Sequence, residues 1–253
     1  MRVSIVTPSY NQSKYLERTI QSVINQDYVD IEYIVIDGGS DDGSVEIIQQ
    51  YQDQITYWVS EPDKGQTDAI NKGFAKASGD ILAWINSDDT LEPGAVSRAV
   101  QVLAENPEVG MVYGHGFFIN AEDAKIGEFP SAQTDYRKLR RGYVHICQQA
   151  AFWRASLWKK AGPLDDSIYF AMDYDLWLHL AKEAPMLYIP EHWANFRLHS
   201  DAKTIAEDDR CWPDMLKIHL RNGGSRFSML YAKYLFRKLV APIMHGKRKR
   251  IIG

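Results

Sequence analysis

Cysteine is scarce: Cys147 and Cys211 are all that 253 residues hold. Neither has a second cysteine at metal-ligand spacing, so neither a disulfide framework nor a thiolate zinc site is expected, and two free cytosolic thiols are. No apolar run approaches the ~18 residues of a membrane span. The first strand begins at Val3, which leaves no room for a charged n-region and an apolar h-region and predicts no signal peptide. No Gly-x-Gly-x-x-Gly follows that strand, which argues against hydride chemistry on a nicotinamide cofactor, and the lack of a Gly-Lys-Ser/Thr loop removes the P-loop nucleotidases. Acidic residues are missing from one stretch: residues 215–253 carry ten of the 29 Lys/Arg and no Asp or Glu, leaving 19 basic groups against 33 acidic in the rest. Such a split marks an acidic body with a basic segment that meets something anionic.

What is present is ordinary globular usage, 45% hydrophobic and 25% charged, arranged as strands alternating with helices. Val3–Val6 reads as a strand stopped by Thr7-Pro8. Leu16, Ile20, Val23 and Ile24 then recur on one helical face. Ile34–Ile36 is a second strand closed by Asp37-Gly38-Gly39-Ser40, and Ser44 is placed to cap the helix that follows. A third strand is predicted near Thr56–Ser60, a helix near Thr67–Ala77, and a central strand at Ile81–Ile85, apolar on both faces. Repeated βα units predict an α/β fold with a mostly parallel sheet flanked by helices. The second half is less regular: a helix over Pro93–Glu105, a strand over Val109–Tyr113, residues 116–150 unassigned, and a helix over Asp173–Ala184. The expected organisation is one domain at 1–210, made of two halves at 1–90 and 91–210, followed by a basic amphipathic helical tail at 211–253.

In parallel sheets ligands bind beyond the carboxyl ends of strands. Three such ends carry polar clusters: Thr7–Asn11, Asp37–Gly43 and Asn86–Asp89. Each alone is weak, since Asp37 suits a turn and Asp88-Asp89 suits a helix cap; their joint placement on one rim is the signal. Paired carboxylates after a buried strand suit a hard divalent cation that bridges protein to phosphate.

Val3–Asn11, Asp37–Ser44, Glu61–Gly73, Gly79–Asp89 and Met172–Leu180 resemble the ordered signature blocks of family 2 glycosyltransferases, and together they span roughly residues 1–200. The resemblance implies a GT-A fold, a nucleoside-diphosphate sugar donor (UDP first), a divalent metal (Mg or Mn) and inversion at the anomeric carbon. It implies that Asp37 holds the nucleobase, with Thr7 and Tyr10 lining the same pocket. Asp63, Lys64 and Asp68 then lie near the base, ribose or sugar, Asp88 and Asp89 form the metal-and-diphosphate block, and Asp173 is the catalytic base. His199 resembles a late residue placed near the metal. Gln148 and Gln149 stand where acceptor-side residues would lie, and Trp177 is one of four late tryptophans offered to an acceptor sugar. Two positions depart from the pattern: Asn86 stands where the metal block often has Asp, and Met172 where the base block often has Glu.

The tail repeats Leu230, Tyr231, Tyr234, Leu235 and Leu239 at helical spacing, before Pro242 and Lys247–Arg250. Two readings stand: an interfacial helix drawn through residues 226–250 to an anionic membrane, or a helix packed on the body. An acidic body argues against nucleic acid. A cytoplasmic transferase of this kind, peripheral at the inner face of the plasma membrane, fits bacterial surface-polysaccharide assembly with a glycan or lipid-linked acceptor. A sugar nucleotidyltransferase is disfavoured because Ser9–Arg18 lacks the glycine- and arginine-rich triphosphate loop. A non-catalytic sugar-nucleotide or glycan-binding module is disfavoured by the intact Asp88, Asp89 and Asp173.

Overall fold

A computed structural model of the chain describes residues 1–199 and 208–236. The first half alternates as expected: β1 (Val3–Ser9), α1 (Ser13–Ile24), β2 (Ile31–Asp37), α2 (Ser44–Gln50), β3 (Tyr57–Ser60), α3 (Gln66–Lys76) and β4 (Ile81–Trp84). The second half holds β5 (Thr90–Leu91), α4 (Ala95–Glu105), β6 (Met111–Ile119), β7 (Lys125–Glu128), α5 (Tyr136–Arg140), β8 (Ala151–Arg154), α6 (Ala155–Ala161), α7 (Met172–Glu183), β9 (Met186–Arg197) and α8 (Asp208–Arg221). One sheet runs β3-β2-β1-β4-β8-β6-β9-β5, with β7 paired to β6.

The strands β3, β2, β1 and β4 are all parallel. Beyond β4 the sheet is mixed: β8 is antiparallel to both β4 and β6, β9 runs parallel to β6, and β5 returns antiparallel to β9. The parallel expectation therefore describes the first half. Residues 116–150, left unassigned above, contain the end of β6, the β7 hairpin, α5 and a 3₁₀ turn at Gln148–Ala150.

Both faces of the sheet are covered, and alternation along each strand divides the core in two. Ile5, Val35, Ala83, Val112 and Phe152 face a core that includes Leu16 and Ile20 of α1 and Val96 and Leu103 of α4. Val6, Ile36, Trp84, Tyr113 and Trp153 face the other, which includes Phe74 of α3 and Leu176, Trp177 and Leu180 of α7. There Trp84 and Trp177 stack at 5.9 Å with planes 8° apart, and Trp153 meets both edge-on.

Part of the tail packs on the body. In α8, Ile218 and His219 are fully buried. Asp214 accepts from the N–H groups of Tyr169 (3.0 Å) and Phe170 (2.7 Å), and Arg221 pairs with Asp165 (2.7 Å) and with Asp175. Leu230 is 4% exposed, packed over Gly142. Leu239, Pro242 and Lys247–Arg250 lie outside the described residues. Among the described residues, no helix is long and apolar enough to cross a membrane.

A buried carboxylate fixes where β4 starts. Glu32 of β2 accepts from Ser4 Oγ (2.5 Å), Ser78 N (2.6 Å) and Ser78 Oγ (2.7 Å), and Gly79 N donates to Ser4 Oγ at 2.8 Å. Burial disfavours its ionised form, but the Ser4 and Ser78 bonds and the Arg2 charge outweigh this and hold the carboxyl below its ordinary value. A carboxyl with a depressed folded pKa adds stability above its unfolded value of 4.5 and loses it as pH falls through the folded value. Glu32→Gln should therefore cost about 1–3 kcal/mol at pH 7. In urea titrations the gap from wild type should narrow below about pH 4.5; a gap independent of pH would contradict this role.

Candidate active site

The loops after β1 and β2 are laced together. Asn11 adopts φ 51°; its N–H donates to Ser40 Oγ (2.8 Å) and its side-chain oxygen accepts from Asp41 N (3.1 Å). Asp42 accepts from Ser13 N at 2.8 Å, so the first turn of α1 is capped from the neighbouring loop. Ser44 does not cap α2 as expected. It is that helix's first residue, and its hydroxyl donates to Asp42 (2.6 Å) and accepts from Gln12 N (3.1 Å).

Asp37 lies inside this lacework, fully buried. One oxygen accepts from Gly39 N (3.1 Å), Ser40 N (2.9 Å) and Ser60 Oγ (2.7 Å), and the other from Ser40 Oγ (2.6 Å). As placed, it shapes the turn after β2. Thr7 is also fully buried, its hydroxyl 3.1 Å from Tyr33 Oη, so it supports the pocket wall from behind. Tyr10 is 60% exposed at the rim. The carboxylate that does stand at the rim is Asp63: a Cβ added at Gly38 would sit 2.8 Å from its Oδ2. Asp63 Oδ1 accepts from Gly65 N (2.7 Å). Asp68 accepts from Lys64 N (3.1 Å) and pairs with Lys72 (3.5 Å), leaving Lys64 exposed on the same loop.

After β4 the two adjacent aspartates part ways. Asp89 is fully buried and accepts from Arg197 N (2.8 Å), Gln149 Nε2 (2.7 Å) and Asn86 Nδ2 (3.1 Å). Burial first, and then the charge of Asp88, push its carboxyl well above the ordinary value. In this geometry the Asp89 carboxylate is met by protein donors. Asp88 is half-buried, with Oδ2 3.1 Å from His199 Nε2. Gln148 and Gln149 are 8% and 5% exposed, and they donate to Trp84 O (2.8 Å) and to Asp89 (2.7 Å). Burial, then the Asp89 charge, pushes the Cys147 thiol up to about 12, so it is no nucleophile.

Sequence reasoning missed the residues that hold this corner. Arg197 is fully buried in β9; its Nε donates to Asp88 O (2.6 Å), Nη1 to Asn120 O (2.9 Å), and Nη2 pairs with Asp123 (2.5 Å). Tyr15 lies between the Arg197 guanidinium, 4.8 Å from its ring centroid, and the His199 ring at 4.6 Å. A lone arginine inside the apolar run Trp193–Leu198 was the available signal, because such a charge is buried only when paired. Gln66 donates to Asn86 Oδ1 (2.8 Å), so the departure at residue 86 ties α3 to the buried carboxylate.

Asp173 stands half-buried in the first turn of α7 and accepts from Tyr174 N at 2.8 Å. Met172 beside it is 7% exposed, part of the core. Trp177 is fully buried in the aromatic cluster. Among the described residues no three metal-ligating side chains cluster.

The family model "Glycosyl transferase family 2" matches residues 4–159. An uncharacterized glycosyltransferase of Mycobacterium tuberculosis is 37% identical over 182 residues, covering 71% of this chain and 68% of the relative. Chondroitin synthase of Escherichia coli is 29% identical over 209 residues, 82% of this chain but 30% of that protein. Among solved structures, S. aureus TarS 1–349 in complex with UDP-GlcNAc matches with a TM-score of 0.69 at 15% identity, over 93% of this chain and 72% of that one. The full TarS structure is spanned only to 43%. The Pyrobaculum calidifontis mannosyltransferase PcManGT in complex with GDP-Man and Mn2+ matches with a TM-score of 0.65 at 18% identity, over 92% and 69%. These neighbours share the GT-A fold. The chain belongs to glycosyltransferase family 2.

Proposed function

We propose that the protein is an inverting transferase that moves a sugar from a nucleoside diphosphate, UDP first, to an acceptor hydroxyl. The observation that carries this reading is the meeting of Asp88 and His199 at 3.1 Å beyond β4 and β9. One carboxylate and one imidazole fit a divalent Mg or Mn that completes its shell with diphosphate oxygens and water. The Mn2+ and nucleotide sugars bound to PcManGT and TarS support the same chemistry. When bound, the cation would neutralise charge developing on the departing diphosphate.

The chain's own residues supply the rest. Asp63 stands over the bare backbone of Gly38, where a base and ribose can approach closely, Tyr10 and Lys64 are exposed on loops of the same rim, and Asp37 and Asp68 hold those loops. Asp173 takes the proton of the acceptor hydroxyl as its oxygen attacks the anomeric carbon opposite the diphosphate. The new bond forms as the old one breaks, so no covalent enzyme intermediate is needed.

We place this reaction in surface-polysaccharide assembly at the cytoplasmic face of a membrane. The similarity to chondroitin synthase supports the product class. The exposed Phe227 and Phe236, in one segment with Arg226 and Lys233, support peripheral attachment.

Three measurements check these assignments. By calorimetry, Asp88→Ala should lower metal-dependent UDP affinity about 10- to 100-fold and leave metal-free uridine binding unchanged. Asp63→Ala should weaken both about tenfold; the opposite split would exchange the two roles. Asp173→Asn should cut kcat about 10²- to 10⁴-fold while the thermal shift with UDP and Mn persists, and retained turnover would remove Asp173 as base. Sedimentation with phosphatidylglycerol vesicles should be lost in Phe227→Ser/Phe236→Ser, and unaltered sedimentation would end the attachment proposal.

A further inference from the structure

A cavity of ≈ 290 Å³ lies away from the donor rim, between the end of α5 and the segment that follows α8. It far exceeds the ~10–15 Å³ that holds a water and approaches the ~300–1,000 Å³ of ligand pockets. Its walls follow from local backbone geometry. Gly142, at φ 82°, turns the chain after α5, and Leu230 packs on that turn so tightly that a Cβ there would lie 2.8 Å from Leu230 Cβ. Gly224 closes over the face of the His219 ring and its N–H donates to His219 O at 2.8 Å.

The lining is cationic and polar: Arg140, Arg141, Tyr143, His219, Ser225 and Ser228 contribute, and no acidic residue does. Neither Arg140 nor Arg141 has a side-chain hydrogen bond or ion pair among the described residues, whereas nearby Arg221 is spent on Asp165 and Asp175. His219 is fully buried. Its Nε2 lies 3.2 Å from Ser225 O, which places a proton on Nε2, and its Nδ1 has no partner. Such an atom left alone costs free energy. A phosphate suits the set: guanidinium forks bind its oxygens and the serine and tyrosine hydroxyls donate. Arg140 follows Leu139, whose carbonyl accepts from Tyr174 Oη at 2.8 Å, and Tyr174 follows Asp173. The end of α5 is thereby tied to the helix that carries the proposed base.

We infer that this cavity is a phosphate subsite, and that it receives a phosphate group borne by the acceptor. The link to the acceptor rests on the transfer reading above; binding of phosphate does not. The test uses the ¹⁵N-labelled full chain in EDTA, titrated with inorganic phosphate and with glycerol 3-phosphate. Saturable shifts of the Gly223, Gly224 and Ser225 amides are expected, weakened tenfold or more in Arg140→Gln/Arg141→Gln, with the Gly38 and Gly39 amides unmoved. Both arginines are exposed, so the variant should keep the wild-type spectrum elsewhere. Phosphatidylglycerol vesicles distinguish the source: capture competed by inorganic phosphate assigns the site to a lipid headgroup, and phosphate binding without capture assigns it to a soluble phosphate. Absence of saturable shifts with every probe, shifts unchanged in the double variant, or equal shifts with chloride at matched ionic strength would each overturn the inference. A failed donor reading would show instead as UDP with Mn leaving Gly38 and Gly39 unmoved.

Discussion

The enclosed carboxylate of Asp89 is the constraint on which the rest depends. A charge-capable group with no solvent contact is tolerated only if its oxygens are met by donors. Here those donors come from three distant places: the loop after β4, the 3₁₀ turn before β8, and the backbone of β9. The mixed half of the sheet is thereby tied to the parallel half at one point. Thr19 of α1 adds a fourth tie by donating to Asp89 O at 2.7 Å. A shift of β9 by one residue would replace Arg197 N and strand the carboxylate, so the register of a long strand is set from the site outward.

The same constraint directs Asp88. With its neighbour turned inward, Asp88 is left at the rim, and Arg197 holds its carbonyl while Tyr15 braces both Arg197 and His199. An Arg–Asp123 pair with a fully buried guanidinium is a poor source of net stability, since desolvation offsets much of the attraction. Its value here is geometric: the anchored guanidinium holds the backbone carbonyl of Asp88, the same residue whose carboxylate is proposed to meet the metal. Rigid support of this kind is what a diphosphate site requires, because misplacement of about 1 Å can cost two orders of magnitude in rate.

How much of this could be read from the sequence follows the same division. The βα rhythm from Val3 to Trp84 was legible because fully buried parallel strands are short, apolar on both faces and punctuated by glycine. The pairings of β6, β8 and β9 were not, since they join residues far apart in sequence and the stretch 116–150 has no sustained period. At the site, the resemblance pointed to Asp88 and His199, and these two side chains meet at 3.1 Å. Asp37, Thr7, Asp89 and Trp177 have equally suggestive positions, yet they lie inside the protein. Which of two adjacent aspartates turns inward depends on tertiary donors such as Gln149 and Arg197 N, and no local pattern encodes those.

The two departures from the family pattern take on physical meaning in this light. Asn86 lies 3.1 Å from the buried Asp89 oxygen and 2.8 Å from Gln66. An amide can donate to one and accept from the other, and it adds no charge. Aspartate at 86 would place a second carboxylate against one whose ionisation burial already disfavours, and it would offer no donor. Met172, in turn, begins α7 within the core beside Trp177, where a glutamate would need a partner that the surrounding apolar cluster does not provide. Both substitutions thus lower the charge carried by supporting positions and leave Asp88 and Asp173 unaltered. Loss of a carboxylate from a signature block is therefore no argument for loss of activity when the remaining network is satisfied without it.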